Sequence, residues 1–248
     1  MSSEINVFNK DNLNQYLNEL SKAYKKLGGR NMPAEIILIG GAAIIENYGF
    51  RDMTSDIDAV IRAASVMDDA IRQVGDKFRL PVGWLNSDFT KTVSYSRKLE
   101  DHSVFYKTFN QVLTVRTVNA EYLIAMKLRS GRKYKNDLSD IIGILAEHEK
   151  RGDSITYERI DKAIVDLYGS WDGISSDASA FIKGALADGD YQRMYESIRE
   201  NEQNARELLL DFQEKYPSAL KEENVDQILQ KQQSKQKLLE KLKGKKNE

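Results

Sequence analysis

A pair of adjacent glycines and a pair of aspartates one residue apart lie in a mostly apolar segment, residues 36–61, and they constrain the fold more than any other feature. Gly40 and Gly41 follow the apolar run "IILI", and Asp56 and Asp58 flank a single isoleucine. On a strand, side chains two residues apart point to the same face, so the two aspartates are expected side by side. Ionised carboxylates in such a position repel each other, and burying them is unfavourable without a countercharge.

A divalent cation is the simplest countercharge for this pair of carboxylates. Mg²⁺ favours a few carboxylate ligands together with substrate phosphates. The glycines fit the same chemistry, because a Gly-Gly turn after a strand lets the backbone approach a phosphate, and the following helix offers free N–H groups. The segment therefore predicts Mg²⁺ or Mn²⁺ held by Asp56 and Asp58, and a phosphate near Gly40 and Gly41. Each motif alone also has an ordinary explanation. Asp-x-Asp can occur on a strand by chance, and Gly-Gly after a strand can be a tight turn.

Hydrophobic periodicity predicts an α+β region over residues 1–150 and a helical region over residues 151–248. The first region is expected to form a small mixed sheet with flanking helices. The predicted elements are a helix over 11–27 with Asp11 as N-cap, a strand ending at Gly40-Gly41, a helix from 42, a strand carrying Asp56 and Asp58, a loop and short helix over 80–93, and a hairpin turning at Asn110 and Gln111.

Composition narrows the chemistry to carboxylates, lysine and arginine. The 248 residues include no cysteine and two histidines, which excludes disulfides and thiolate metal sites and disfavours a histidine-based triad. The net charge of −1 lacks a strongly basic nucleic-acid footprint. Lysines concentrate in residues 231–248, as a solvated helix end or a contact for RNA phosphates. No run reaches ~18 apolar residues and no signal-peptide layout opens the chain, so we expect a cytoplasmic protein without a membrane partner.

The first segment resembles the signature of the DNA polymerase β-like nucleotidyltransferase superfamily, in which a Gly-Gly or Gly-Ser pair precedes Asp-apolar-Asp. It is more closely similar to bacterial nucleotidyltransferase-like proteins related to toxins of abortive-infection and toxin–antitoxin systems. The matching residues are Gly40, Gly41, Ala42, Ala43, Arg51, Asp56, Ile57 and Asp58. The spacer over residues 42–55 is 14 residues, at the long end of the superfamily pattern. The resemblance implies the nucleotidyltransferase fold.

A second segment, "AEYLIAMKLRSGRKYKNDLSDIIGIL", resembles the Lys-Leu helix of these proteins and the Asp-x-x-Asp helix that follows it. By this resemblance Lys127 contacts nucleotide phosphate, Asp137 or Asp140 is a further active-site residue, and Arg51 and Arg132 assist nucleotide binding. Ordinary roles remain open for three of these residues. Lys127 can be a surface lysine lying along apolar neighbours, Asp137 an N-cap, and Asp140 an ion-pair partner of Arg132.

One departure from the family pattern leaves the catalytic status open. Active relatives carry a third carboxylate on a later strand, whereas the candidate strands "VFYKTF" and "LTVRTV" carry Lys107 and Arg116. Either one metal suffices, or Asp137 or Asp140 substitutes, or the site binds nucleotide without turnover.

The resemblance thus implies an enzyme that transfers a nucleoside monophosphate from an NTP to an RNA end, such as tRNA, or to a protein hydroxyl. A toxin paired with an antitoxin protein is its implied setting. The alternative is an inactive member that binds nucleotide or a protein partner.

Overall fold

A five-stranded mixed sheet forms the centre of the computed structural model, which describes residues 7–221 and 224–244, with side chains up to residue 234. The predicted α+β fold is confirmed. The strands are β1 (Ala34–Leu38), β2 (Ile57–Arg62), β3 (Leu85–Asn86), β4 (Ser103–Phe109) and β5 (Leu113–Val118). The α-helices of the described residues are α1 (Lys10–Lys26), α2 (Gly40–Asn47), α3 (Val66–Phe78), α4 (Ala120–Ser130), α5 (Asp137–Lys150), α6 (Tyr157–Tyr168), α7 (Ser176–Asp188), α8 (Tyr191–Lys215) and α9 (Val225–Gly244).

The strand order β3-β2-β1-β5-β4 brings the two halves of the first motif to one edge of the sheet. β1 is antiparallel to β2 and parallel to β5, so the carboxyl end of β1 lies beside the amino end of β2. Leu38 pairs with Ala59, and the backbone N–H of Ile39 donates to the carbonyl oxygen of Asp58 at 3.0 Å. This register places the glycines directly against the aspartate strand.

The turn between β4 and β5 follows the sequence prediction. Asn110 and Gln111 both have positive φ, at 48° and 60°, which is the conformation that tight hairpin turns require. β4 then pairs antiparallel with β5 from Phe109 and Leu113 to Ser103 and Val118. The hairpin prediction is therefore confirmed.

The main hydrophobic core extends from the sheet into the helices that follow it. Strand β1 is almost fully buried, as expected for an apolar strand covered on both faces. Side chains of α4, α5, α6 and α7 belong to the same cluster of buried residues. A separate small cluster, formed by Ala205, Leu209, Val225 and Leu229, joins α8 to α9. The proposed domain boundary at residue 150 stays a prediction.

Local details differ from the sequence prediction at three places. Asn9, not Asp11, caps α1, through reciprocal hydrogen bonds with Asn12. β3 was not predicted, because two residues are too few to show a period and their pairing to β2 is tertiary. The short helix expected after it is a 3₁₀ turn over Asp88–Lys91. After residue 151 the described residues form helices and no strand, as predicted.

No α-helix in the described part of the chain combines the length and the apolar character needed to cross a lipid bilayer.

Candidate functional site

The first turn of α2 lies against the side chain of Asp58. Gly40 opens this helix with a φ of +57°, a left-handed conformation that glycine adopts without strain. A Cβ atom at this position would lie 3.6 Å from Oδ2 of Asp58. The helix therefore begins at Gly40 rather than after the glycine pair, and the expected proximity of the glycines and the aspartates is present.

Asp56 and Asp58 lie near each other, although only Asp58 belongs to the strand. Asp56 is exposed and precedes the first residue of β2, so its placement on the strand was wrong. Burial raises the pKa of Asp58, and the charge of Asp56 raises it further. Lys135 and Arg132 act in the opposite direction. Asp56 and Asp58, which we name the aspartate edge, thus repel each other and attract cations.

Gly41 leaves the space through which Arg51 reaches the far side of the site. A Cβ atom on Gly41 would lie 2.5 Å from Oγ1 of Thr54 and 2.9 Å from Nη2 of Arg51. Arg51 passes through this gap and donates from Nη1 to Oδ2 of Asp140 at 2.7 Å. A larger residue at position 41 would disturb the turn that leads into β2.

Five charged side chains, three buried and two half-buried, form a cluster between the turn before β2, α4 and α5. Nζ of Lys127 lies 2.8 Å from Oδ1 of Asp137 and 2.8 Å from Oδ2 of Asp140. Arg51 is the second partner of Asp140, and Arg132 donates from Nε to Oδ2 of Asp137 at 2.9 Å. We name these five residues, Arg51, Lys127, Arg132, Asp137 and Asp140, the ionic cluster.

The ionic cluster keeps Lys127 and Asp137 charged despite their burial. Burial alone would lower the pKa of Lys127, but Asp137 and Asp140 outweigh it and raise that pKa above its usual value. Burial would likewise raise the pKa of Asp137, but Lys127 and Arg132 hold it well below its usual range. Each charge therefore stabilises the opposite one, as buried ions require.

The contacts within the ionic cluster differ from the ordinary roles considered for Lys127, Asp137 and Asp140. Lys127 is 9% exposed and ion-paired, so it is not a surface lysine. Asp137 is the first residue of α5 and is buried, while Asn136 holds the N-cap position. The partners of Asp140 are Lys127 and Arg51, and Arg132 pairs with Asp137 instead. The structure brings together the residues that the resemblance named, and their pairing depends on tertiary contacts.

Glu202, on α8, was missed by sequence reasoning. Its Oε1 atom accepts the backbone N–H groups of Leu138 at 2.9 Å and Ser139 at 3.2 Å, and its Oε2 accepts the hydroxyl of Ser139 at 2.5 Å. Burial raises the pKa of Glu202 to about 7, against these hydrogen bonds, which lower it. Glu202 thus binds the free N–H groups at the start of α5, beside the ionic cluster. No local sequence signal marks a cap supplied from more than 60 residues away.

An open cleft of ≈ 630 Å³ lies between the aspartate edge and the ionic cluster. Its lining combines carboxylates, cations and an apolar wall. The lining residues include Gly40, Asp56, Asp58, Asp88, Phe89, Lys91, Val93, Leu123, Met126, Lys127, Arg132, Lys135, Asp137, Val225 and Asp226. Six of the predicted site residues line this cleft: Gly40, Asp56, Asp58, Lys127, Arg132 and Asp137. Gly41, Arg51 and Asp140 are not part of its lining.

The carboxylates at this edge fit a divalent cation that is shared with a phosphate ligand. Within residues 7–221 and 224–234, no three histidine, aspartate or glutamate side chains form a group that could hold a metal ion alone. Mg²⁺, however, is commonly held by one or two carboxylates together with substrate phosphates and water. Asp56 and Asp58 supply that number. The later strands β4 and β5 supply no third carboxylate. Arg116 of β5 donates from Nε to the hydroxyl oxygen of Ser103 at 2.8 Å.

Comparison with known proteins shows which family the chain belongs to. Residues 15–169, more than half of the chain, match the family described as "Nucleotidyltransferase of unknown function (DUF6036)". The chain therefore belongs to this nucleotidyltransferase family. Searches among curated proteins and among solved structures gave no match. The matched residues include the glycine pair, both aspartates and the ionic cluster.

Proposed function

We propose that the protein is an enzyme of the DNA polymerase β-like type, which transfers a nucleoside monophosphate from an NTP to a hydroxyl of an RNA end or a protein. The observation that carries the proposal is the pair Asp56 and Asp58 beside Gly40 at the mouth of a cleft large enough for a nucleotide. Family membership supports the reaction class.

In the proposed reaction, the acceptor hydroxyl oxygen forms a bond to the α-phosphorus of the NTP. The bond between that phosphorus and the bridging oxygen of the pyrophosphate breaks, and pyrophosphate leaves. A carboxylate of the pair accepts the hydroxyl proton.

Mg²⁺ or Mn²⁺, held by Asp56 and Asp58, would neutralise negative charge that develops on the phosphates. The chain's own residues position the nucleotide. The backbone at Gly40 lets a phosphate approach the first turn of α2, and the apolar wall formed by Phe89, Leu123 and Met126 offers a surface for the base. The expected contact of Lys127 with a phosphate stays a prediction.

The experiment incubates the protein with each α-³²P-labelled NTP, Mg²⁺, and either tRNA or cell protein. Label should enter one acceptor class and be lost in Asp56→Asn and Asp58→Asn. Asp52→Asn is the matched control, because Asp52 is an exposed aspartate of the same turn that does not line the cleft. Label transfer that survives in both Asp56→Asn and Asp58→Asn would overturn the proposal.

A nucleotide-binding protein without turnover is the second candidate. It is favoured by the lack of a carboxylate on β4 and β5, since active enzymes of the superfamily that the chain resembles usually place a third carboxylate on a later strand. Nucleotide that binds in an equilibrium assay without label transfer to either acceptor would support it. The toxin setting, with an antitoxin protein as partner, rests on resemblance alone, and growth arrest on expression that requires Asp58 would support it.

A further inference from the structure

Within the part of the chain whose side chains are described, four cationic side chains line the cleft, and three of them already contact carboxylates. Two of the three N–H donors of Lys127 are directed at Asp137 and Asp140, both at 2.8 Å. Arg132 directs Nε at Asp137, and Lys91 lies 2.7 Å from Asp88. A phosphate that bound any of these cations would compete with a carboxylate already in contact.

Lys127 is the least suited of the three to meet a phosphate. It is 9% exposed, and its ammonium is shared between two buried carboxylates. If a phosphate displaced either one, an aspartate would be left buried with one countercharge fewer, which is unfavourable. The contacts of Lys127 therefore indicate that it holds α4 and α5 together.

Lys135 differs from these three cations in its pairing. It lies in the loop between α4 and α5, is exposed, and lines the same cleft as Gly40 and Asp58. Among the described residues, its ammonium forms no hydrogen bond and no ion pair.

We propose that Lys135 is the residue that binds the β- and γ-phosphates of the NTP, while Lys127 is a positioning residue that keeps Asp137 and Asp140 in place. This assignment rests on the proposed nucleotide site. A lysine ammonium on a flexible, exposed stem can turn toward a phosphate without breaking an existing contact. The phosphates would then lie between Lys135 and a metal ion at Asp56 and Asp58.

The matched control is Lys133, two residues away in the same loop. Lys133 is also exposed, but it pairs with Asp177 at 2.9 Å and does not line the cleft. Neither lysine belongs to the core, so Lys135→Ala and Lys133→Ala should both fold, with thermal midpoints that match the wild-type protein. Differences in binding can then be assigned to the cleft.

The experiment measures by titration calorimetry, in Mg²⁺, the affinity for an α,β-methylene NTP analogue, the corresponding nucleoside, and inorganic tripolyphosphate. Lys135→Ala should weaken binding of the analogue and of tripolyphosphate about tenfold, leave the nucleoside affinity unchanged, and be rescued by Lys135→Arg. Lys133→Ala should stay within about twofold of the wild type.

Equal affinities of Lys135→Ala and Lys133→Ala for the analogue would overturn the assignment of Lys135 while leaving the proposed function intact. Tripolyphosphate binding that depends on Lys135, in a protein that binds neither nucleoside nor analogue, would support the phosphate contact and contradict the proposed nucleotide function. Absence of binding to all three probes would overturn both.

Discussion

Nη1 of Arg51 lies 2.7 Å from Oδ2 of Asp140, a residue 89 positions further along the chain. Lys127 lies 2.8 Å from the same oxygen atom. These contacts join the turn that leads into β2 to the first turns of α5, across the end of α4. The position of the turn that leads to Asp56 and Asp58 therefore depends on the ionic cluster, although neither aspartate belongs to that cluster.

Removing the shared cation should destabilise the fold. We expect Lys127→Ala to lower the free energy of unfolding by about 3 kcal/mol, because Asp137 and Asp140 would stay buried with one countercharge each. Urea denaturation followed by tryptophan fluorescence measures the change, since Trp84 is 2% exposed in the native state.

The control for this prediction is Lys133→Ala, which removes an exposed ion pair with Asp177. Exposed pairs contribute about 0–1 kcal/mol, so its unfolding free energy should stay near that of the wild type. If Lys127→Ala proved as stable as Lys133→Ala, the ionic cluster would not stabilise the protein.

Gly41 should tolerate no side chain. A Cβ atom there would lie 2.5 Å from Oγ1 of Thr54 and 2.9 Å from Nη2 of Arg51, so the turn would have to shift. We expect Gly41→Ala to lower the unfolding free energy by about 1–3 kcal/mol, the usual range for overpacking, as measured by urea denaturation. Gly49→Ala, whose added Cβ would meet no atom within 4 Å, should change it by less than about 0.5 kcal/mol. Equal stabilities of the two variants would contradict the close approach of Arg51.

Predictions from the sequence succeeded where the signal was local. The turn at the glycine pair, the strand that carries Asp58 and the turn at Asn110 each follow from backbone preferences and periodicity over a few residues. The contacts between α5 and Glu202 could not be predicted in this way, because they depend on how α8 packs more than 60 residues later. The residues of the ionic cluster were recognised by resemblance, but their pairing was not, since each carboxylate has more than one cation within reach.

Asp58 should be less favourable for stability than a neutral residue when no cation is bound. Its folded-state pKa is raised above the ordinary value of 3.8, so the stability it contributes is present at low pH and is lost as the pH rises through the raised pKa. We expect Asp58→Asn to raise the thermal midpoint at pH 7.5 by about 2–4 °C for each kcal/mol of unfolding free energy that the substitution restores. The same variant should lose the midpoint shift that Mg²⁺ plus an NTP analogue gives the wild type. Scanning calorimetry with and without these ligands measures both effects.

Asp52→Asn is the control for the Asp58 prediction, since it removes an exposed carboxylate from the same turn. It should keep the wild-type midpoint and the full ligand-dependent shift. A ligand-dependent shift retained in Asp58→Asn would show that the cation is held elsewhere.

Glu202 should give the fold a pH dependence near neutrality. Burial raises its pKa from 4.5 to about 7, so the folded state binds a proton that the unfolded state has released between these values. Stability is then fully present below pH 4.5 and is lost as the pH rises through 7, by up to about 3 kcal/mol. Glu202→Gln mimics the protonated acid, because its carbonyl oxygen still accepts the N–H groups of Leu138 and Ser139.

The variant should therefore exceed the wild type in unfolding free energy at pH 8, and the difference should vanish near pH 4.5. Urea denaturation across this pH range measures it, with Glu207→Gln, an exposed glutamate of the same helix, as control. Glu202→Ala should be less stable than Glu202→Gln at every pH, because it leaves both N–H groups at the start of α5 without an acceptor. A wild-type profile parallel to that of Glu202→Gln would mean that Glu202 stays ionised throughout, held by the three donors it accepts.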